Sequence, residues 1–384
     1  ESREATVFRV MKGESDGPHG NGFQMGELPL YHENMEKGNI SVGGRTRISG
    51  ADTFFGISLE YNKDPEIGRL LRTTDFRVAL SMAIDRGAIN ETAMLGLGVP
   101  QNWIPHPRSP YYPGQEWGSL NAVPQDMAGA NALFTKMGYT KNSSGFFERL
   151  DGTGTLTLTW DAKRGGQRGG NPEGLVSDLI SADWQDLGIK VVDPGGGLAT
   201  GDFGKLESYL TTPWGDHYGH SPWWVDWGSG WPMYGDRGPA PCAGQYYYTG
   251  GEEGCTPTGG TAEFTDVYGN QAPAGTYAVD IPGIMKNQQD LLTEGKSVSF
   301  FDPRRKEIAL ELYKTNLENM MHYNTVSYQP FGIIIWRTNV RNVPTCCVGG
   351  YGDASITYFE DGIDNKNNPG NTSKKFKNFS FALN

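Results

Sequence analysis

The sequence predicts an α/β fold, and three observations carry that expectation. Helical periodicity runs over residues 75–90. An alternating strand, a helix and a second strand follow one another between residues 155 and 192. A pair of helices between residues 284 and 322 leads into an apolar run over 326–336. Strands that alternate with helices of ten or more residues are the pattern of βαβ units and a parallel sheet.

Each element has its own warrant. Residues 2–10 have helical spacing, followed by a Gly-rich break and a short segment over 28–35. Residues 53–62 read as a strand ending on a turn residue. From Asp64 to about Pro344 the chain reads as one α/β domain. Within it, Val78, Leu80, Met82, Ala83, Ile84 and Ile89 share a face. One buried helix over 76–89 is therefore expected, with Asp75 capping its start and Gly87 loosening its end. A Pro-rich loop, Trp103-Ile-Pro-His-Pro, comes next. Met127, Ala130, Leu133, Phe134 and Met137 recur at helical spacing, and Gly138 ends that helix. Residues 155–160 alternate with period two. A helix over 173–187 passes through Gly188 into a strand over 188–192. After a helix over 284–292, Asp302 as N-cap and Pro303 at the first helical position start another over 303–322. The run 326–336 reads as a single buried strand, and the polar tail 361–373 as loop.

The chain has 384 residues and a net charge of −11. Its sequence pI is about 5.1. That acidity argues against nucleic acid or an anionic membrane as partner. It suits a cationic or zwitterionic ligand. The 54 glycines and 12% aromatic residues point to many loops and to stacking surfaces. No apolar run approaches membrane-spanning length. The chain starts at Glu1 without a signal-peptide pattern, which sets the expectation of a processed or truncated chain. Of four cysteines, Cys242 and Cys255 flank a Gly/Tyr-rich loop. A disulfide there would close about 14 residues and contribute about 3 kcal/mol in the chain-entropy model. Cys346 and Cys347 are adjacent, as a vicinal disulfide or two thiols. No zinc spacing occurs, so neither metal nor cofactor is expected. The cysteines favour an oxidising, extracytoplasmic compartment.

The strongest candidate site is Trp214-Gly-Asp-His-Tyr-Gly-His-Ser-Pro-Trp-Trp-Val-Asp-Trp-Gly-Ser-Gly-Trp231, with five tryptophans and two aspartates. A carboxylate among indoles receives an ammonium group by ion pairing plus cation–π attraction of about 0.5–2 kcal/mol per contact. The competing reading is an aromatic core cluster with Asp226 capping a turn. His217 and His220 lack a third metal ligand. His32, His106 and His322 are isolated and read as structural or exposed. Asp361 and Asp364 lie in a stretch without the glycine and terminal glutamate of a calcium loop. Asn39, Asn90, Asn142, Asn371 and Asn378 begin glycosylation sequons that read as coincidence. No Gly-x-Ser-x-Gly elbow and no phosphate loop is present, so the chain reads as a non-enzyme.

The run Asp75-Phe-Arg-Val-Ala-Leu-Ser-Met-Ala-Ile-Asp-Arg-Gly-Ala-Ile89, with Leu95-Gly-Leu-Gly-Val-Pro100 after it, resembles a known segment. That segment is the DxRxRxALxxAIDRxxI signature of the family 5 extracellular solute-binding proteins, the dipeptide- and oligopeptide-binding subunits of bacterial ABC importers. The helix ending in Met137-Gly-Tyr139, the piece Gly188-Ile-Lys-Val-Val192 and the start Asp302-Pro-Arg-Arg305 are similar to further family elements. So is the opening Ser2–Asp16 stretch, and the similarity spans about residues 1–345. The resemblance implies a type II periplasmic-binding-protein-like fold, bilobal with a hinge, lacking the N-terminal part of lobe I and all of lobe II. Residues 1–62 would be part of lobe I, 63–344 lobe III, and 345–384 the return to lobe I with a polar tail. Hinge segments would lie near Asn62 and Pro344. Asp226 matches the aspartate that binds a peptide α-amino group, although Gly-Ser-Gly-Trp follows where the family has Asp-Pro. Trp223, Trp224, Trp227, Trp231 and Asn62 complete the expected ligand site. The implied partners are an oligopeptide or other small solute and a membrane ABC permease. The implied location is periplasmic or extracellular, with a lipid or surface anchor. A different class stands beside it, a surface-assembly protein that pairs with a missing N-terminal fragment or with copies of itself. A hydrolase is the third reading.

Overall fold

The computed structural model describes residues 3–14, 25–47, 54–57, 59, 64–109, 111–160, 173–192, 211–212, 264–265, 271–272, 284–299, 301–328, 330–341, 346–348 and 380–381. Helices α1 (Arg3–Met11), α2 (Leu28–Glu33) and α3 (Met35–Gly38) precede strands β1 (Ile40–Arg47) and β2 (Phe54–Ile57). Then come α4 (Pro65–Arg72), α5 (Thr74–Met82), α6 (Arg86–Ala93), β3 (Val99–Pro100), α7 (Gln115–Ser119) and α8 (Met127–Lys136). They are followed by β4 (Thr157–Thr159), α9 (Glu173–Leu187), β5 (Lys190–Val192), β6 (Thr211–Thr212), β7 (Phe264–Thr265) and β8 (Gln271–Ala272). The last elements are α10 (Ile284–Ser297), α11 (Pro303–Asn319), β9 (His322–Asn324), β10 (Val326–Ser327), β11 (Pro330–Arg337), β12 (Val340–Arg341), β13 (Cys346–Val348) and β14 (Ser380–Phe381).

The expected βαβ unit is present. Strands β4 and β5 pair in parallel, with Leu158 opposite Val191. Helix α9 connects them and turns Val176, Ile180, Trp184 and Leu187 inward, all fully buried. Those spacings of four, four and three place the four on one helical stripe. Gly188 then takes φ +108, and a Cβ there would sit 2.8 Å from the Gly145 carbonyl oxygen. Only glycine fits both demands. Trp184 anchors the core: its ring meets Trp160 edge-on at 4.7 Å, and its Nε1 donates to the Leu80 carbonyl at 3.0 Å. On the other side Phe134 stacks on Phe147 at 4.2 Å and meets Phe76 edge-on at 5.6 Å.

The helix expected over 76–89 is two helices. Thr73 is the N-cap residue of α5, and Asp75 lies in the first turn, paired with Lys136 at 2.7 Å. The chain breaks between Met82 and Arg86. Asp85 starts α6, accepting from the Ala88 amide at 2.9 Å, so Gly87 sits inside the first turn of α6. The freed amide of Asp85 donates to Asp183 Oδ2 of α9 at 2.8 Å. A short polar residue that satisfies its own backbone competes with helix propagation, and a partner across the core holds the break.

A second core lies elsewhere. Val7, Val10, Met11, Tyr31, Ile40 and Ile335 pack together, beside a sheet of order β11-β1-β13. Strand β1 runs antiparallel to β11, with Val42 opposite Ile335. The run 326–336 is therefore not one strand. Its first part, β10, pairs with β3, and its second part, β11, pairs with β1. Between them Tyr328 takes φ +60. Proline at 330 cannot donate to a ladder, which is a physical reason for a strand to restart there. Helices α10 and α11 form a hairpin over a third cluster that includes Trp103 and Tyr111.

Candidate functional site at the chain crossing

The chain connects the first two cores twice, between β1 and β2 and again between β10 and β11. Strand β2 lies in a sheet of order β6-β2-β9. Both neighbours are antiparallel to it. Gly56 is opposite Thr212 and Ile57 opposite Thr211, while Phe54 is opposite Asn324 and Gly56 opposite His322. So β6 and β9 both run toward the end where β2 begins. The entry of β2 at Phe54 thus lies beside the exit of β9 at Asn324, and β6 ends at Thr212 opposite Gly56.

That end is built from buried polar groups. Arg86 extends from α6 and is fully buried. Its Nε donates to the Asn324 carbonyl at 2.8 Å, one terminal nitrogen to the Ser81 and Ala122 carbonyls at 2.7 and 3.1 Å, and the other to Ser81 Oγ at 2.8 Å. Arg77 from α5 does the same one step back along the chain, with Nε on the Asn319 carbonyl at 2.7 Å. Burial lowers both guanidinium pKa values, Arg77 to about 10 and Arg86 to about 9, so both stay charged at neutral pH. Between them burial pushes the Tyr323 phenol up. His322 is pushed down to about 3 by burial and is neutral. Asn324 Nδ2 donates to the Gln101 carbonyl at 3.1 Å and to Ser327 Oγ at 2.9 Å. Asn324 Oδ1 and Gln101 Nε2 are buried without a hydrogen-bond partner. Both signature arginines are spent on backbone carbonyls and hydroxyls, so they brace the crossing end and do not present charge to a ligand.

The Pro-rich loop closes the site. Tyr328 Oη donates toward the carbonyls of Ile104 and Pro105, at 3.2 and 2.9 Å. Its ring meets His106 edge-on at 5.0 Å. Burial first, and the Arg108 charge second, lower the His106 pKa.

The expected ligand residues Asp226, Trp223, Trp224, Trp227, Trp231 and Asn62 lie outside the described residues, as do Cys242 and Cys255 and the hinge position Pro344. His106 and His322 fall within them, as structural side chains. The residues that sequence reasoning passed over are Arg86, Asn324, Gln101 and Tyr328. Proline at 330 was the available signal for a break beside Tyr328. The polar partners of Arg86 come from three distant parts of the chain and leave no local pattern. Among the described residues no group of three or more His, Cys, Asp or Glu side chains has metal-holding geometry. No helix among them is long and apolar enough to cross a membrane.

The sequence matches the model of the bacterial extracellular solute-binding proteins, family 5 middle, over residues 25–218, half of the chain. The chain belongs to this family. Similar solved structures agree with its fold. An oligopeptide-binding protein, OppA, aligns with a TM-score of 0.69 at 20% identity, covering 100% of this chain and 56% of that one. The periplasmic binding protein MelB of Agrobacterium fabrum, in complex with stachyose, aligns at 0.57 with 15% identity, over 90% of this chain and 47% of that one. NikZ of Campylobacter jejuni, in complex with Ni(L-His), aligns at 0.54 with 15% identity, over 91% and 57%. This chain spans about half the length of each. The type II periplasmic-binding-protein-like class is therefore the fold. No curated protein matches the sequence.

Proposed function

We propose that the chain captures a small solute for an ABC importer, with an oligopeptide as the ligand and a membrane permease as the receiving partner. The family supports the role. The observation that supports the placement is the sheet β6-β2-β9, in which the exit of β9 pairs with the entry of β2 and β6 precedes the tryptophan-rich segment in the sequence. Clefts between lobes at a hinge are where such sites lie. In this reading residues 54–327 are one lobe, and the first segment with residues 330–348 belongs to another. The pairing of β11 with β1 supports a boundary before β11 in this reading. Asp226 takes the ammonium group of the solute, and Trp223, Trp224, Trp227 and Trp231 stack on its body. Asn62 completes the ligand site in this reading. Closure around the solute replaces water by protein dipoles, and no bond is made or broken. The location is extracytoplasmic, where a Cys242–Cys255 bridge persists.

The test is a titration of the wild type and Asp226→Asn with a pool of pentapeptides that carry free amino termini, read by calorimetry. Removing the charge from a charge-assisted hydrogen bond should weaken binding by about 1.5–3 kcal/mol, roughly ten- to a hundredfold. Equal affinity of the two, with the fold intact, removes Asp226 from the site. A wild type that ignores the pool removes peptides.

A further inference from the structure

His32, exposed near the end of α2, is not isolated. Its Nδ1 lies 3.2 Å from the Sδ of Met35, the first residue of α3. An imidazole nitrogen is a common metal ligand, and a thioether sulfur is a soft one. The backbone between the two donors is well held. The Asn34 amide donates to the Tyr31 carbonyl at 3.2 Å, and its Nδ2 to the Leu30 carbonyl at 2.8 Å. The Gly38 amide donates to the Asn34 carbonyl at 2.9 Å. A Cβ at Gly38 would collide with the Met11 carbonyl oxygen, so α3 presses against the end of α1. Tyr31 is fully buried, and Met35 packs half-buried against the core that holds Val7, Val10 and Ile335. Met35 thus rests its apolar chain on that core while its sulfur meets an exposed ring.

We propose that His32 and Met35 form a two-donor chelate for a soft monovalent cation of the copper(I) class. Bonds of about 2.0 Å to nitrogen and about 2.3 Å to sulfur, across the 3.2 Å between the donors, give a bite angle of about 95°. That angle suits a three- or four-coordinate ion whose other positions are filled from solvent. The thioether sets the class, because hard ions take oxygen ligands and sulfur donors select copper(I). Glu33 and Glu36, both exposed beside the pair, add a negative potential that attracts a cation. Nothing in solute capture depends on this pair.

The test uses the full chain with its free thiols blocked by iodoacetamide, since a thiolate outcompetes a thioether for such ions. Silver(I) is the probe, a redox-inert stand-in for copper(I), and isotope-labelled methionine methyl groups report it by NMR. Met35→Leu assigns the Met35 signal. One equivalent of silver should shift that signal and saturate it. The signal of Met127, which packs against the other core, should not move. His32→Ala should weaken the Met35 response at least about tenfold, because the second bond of a chelate forms within one molecule. Zinc(II) at the same concentration should leave Met35 unmoved. An unmoved Met35 signal with silver overturns the chelate, and so does an unchanged response in His32→Ala. A shift shared equally by Met127 is adventitious thioether binding and overturns it as well. A zinc response equal to that of silver overturns the soft class. Thermal unfolding separates a lost ligand from a lost fold, and if His32→Ala lowers the midpoint, His32→Gln decides.

Discussion

Arg86 donates four hydrogen bonds to neutral acceptors. Its ionisation feels Asp183 on α9, and that aspartate shows how this interior handles charge. Desolvation, first, and then the neighbouring carboxylates Asp85 and Asp186 raise the Asp183 pKa from 3.8 to about 6. The sign follows from linkage: the folded state holds the proton more tightly than the unfolded chain. The stabilising contribution is therefore complete below pH 3.8 and is lost as pH rises through about 6. Asp183→Asn keeps an oxygen for the Asp85 amide and removes the charge. At pH 7 it should stabilise the protein by about 1–2 kcal/mol, after discount for partial exposure. The gain should vanish at pH 4. Urea unfolding at the two pH values checks this, and an equal effect at both would mean that the carboxylate is not desolvated. None of this environment was legible in sequence. Asp183 lies 98 residues away from Asp85, brought there by packing.

Elements show a sharper division between what sequence reveals and what it hides. The start of α11 was legible because its signal is local: Asp302 accepts from the Arg304 amide at 2.9 Å, with proline at the first helical position. Asp302→Ala should cost about 1 kcal/mol, measured as a shift in the unfolding midpoint, and no shift would remove the cap from the account. The βαβ unit was legible for the same reason, since period-two and helical spacings lie on either side of one glycine. The break between α5 and α6 was not. Ala83 and Ile84 are both fully buried, so the apolar pattern runs on through the three residues where the helix stops. Hydrophobic periodicity reports which side faces the core, and a brief interruption does not disturb it. The split of 326–336 was hidden in a similar way. The apolar residues Phe331, Ile333, Ile334, Ile335 and Trp336 dominate the stretch and outweigh the proline signal at 330, while the two halves pair in different sheets.

At the scale of the molecule, the family was legible from one helical run and four shorter pieces. The pairing of β11 with β1 was not legible, because it joins residues about three hundred apart and no local composition change marks it. Two cores linked twice by the chain are the frame from which the proposed solute capture is argued. The measurement that tests this most directly is native mass spectrometry of the purified protein before and after mild denaturation. The account predicts a bound small molecule, of peptide size, that is released when the fold is lost. A chain that carries no small molecule and runs as a stable assembly with copies of itself or with a second polypeptide would contradict it.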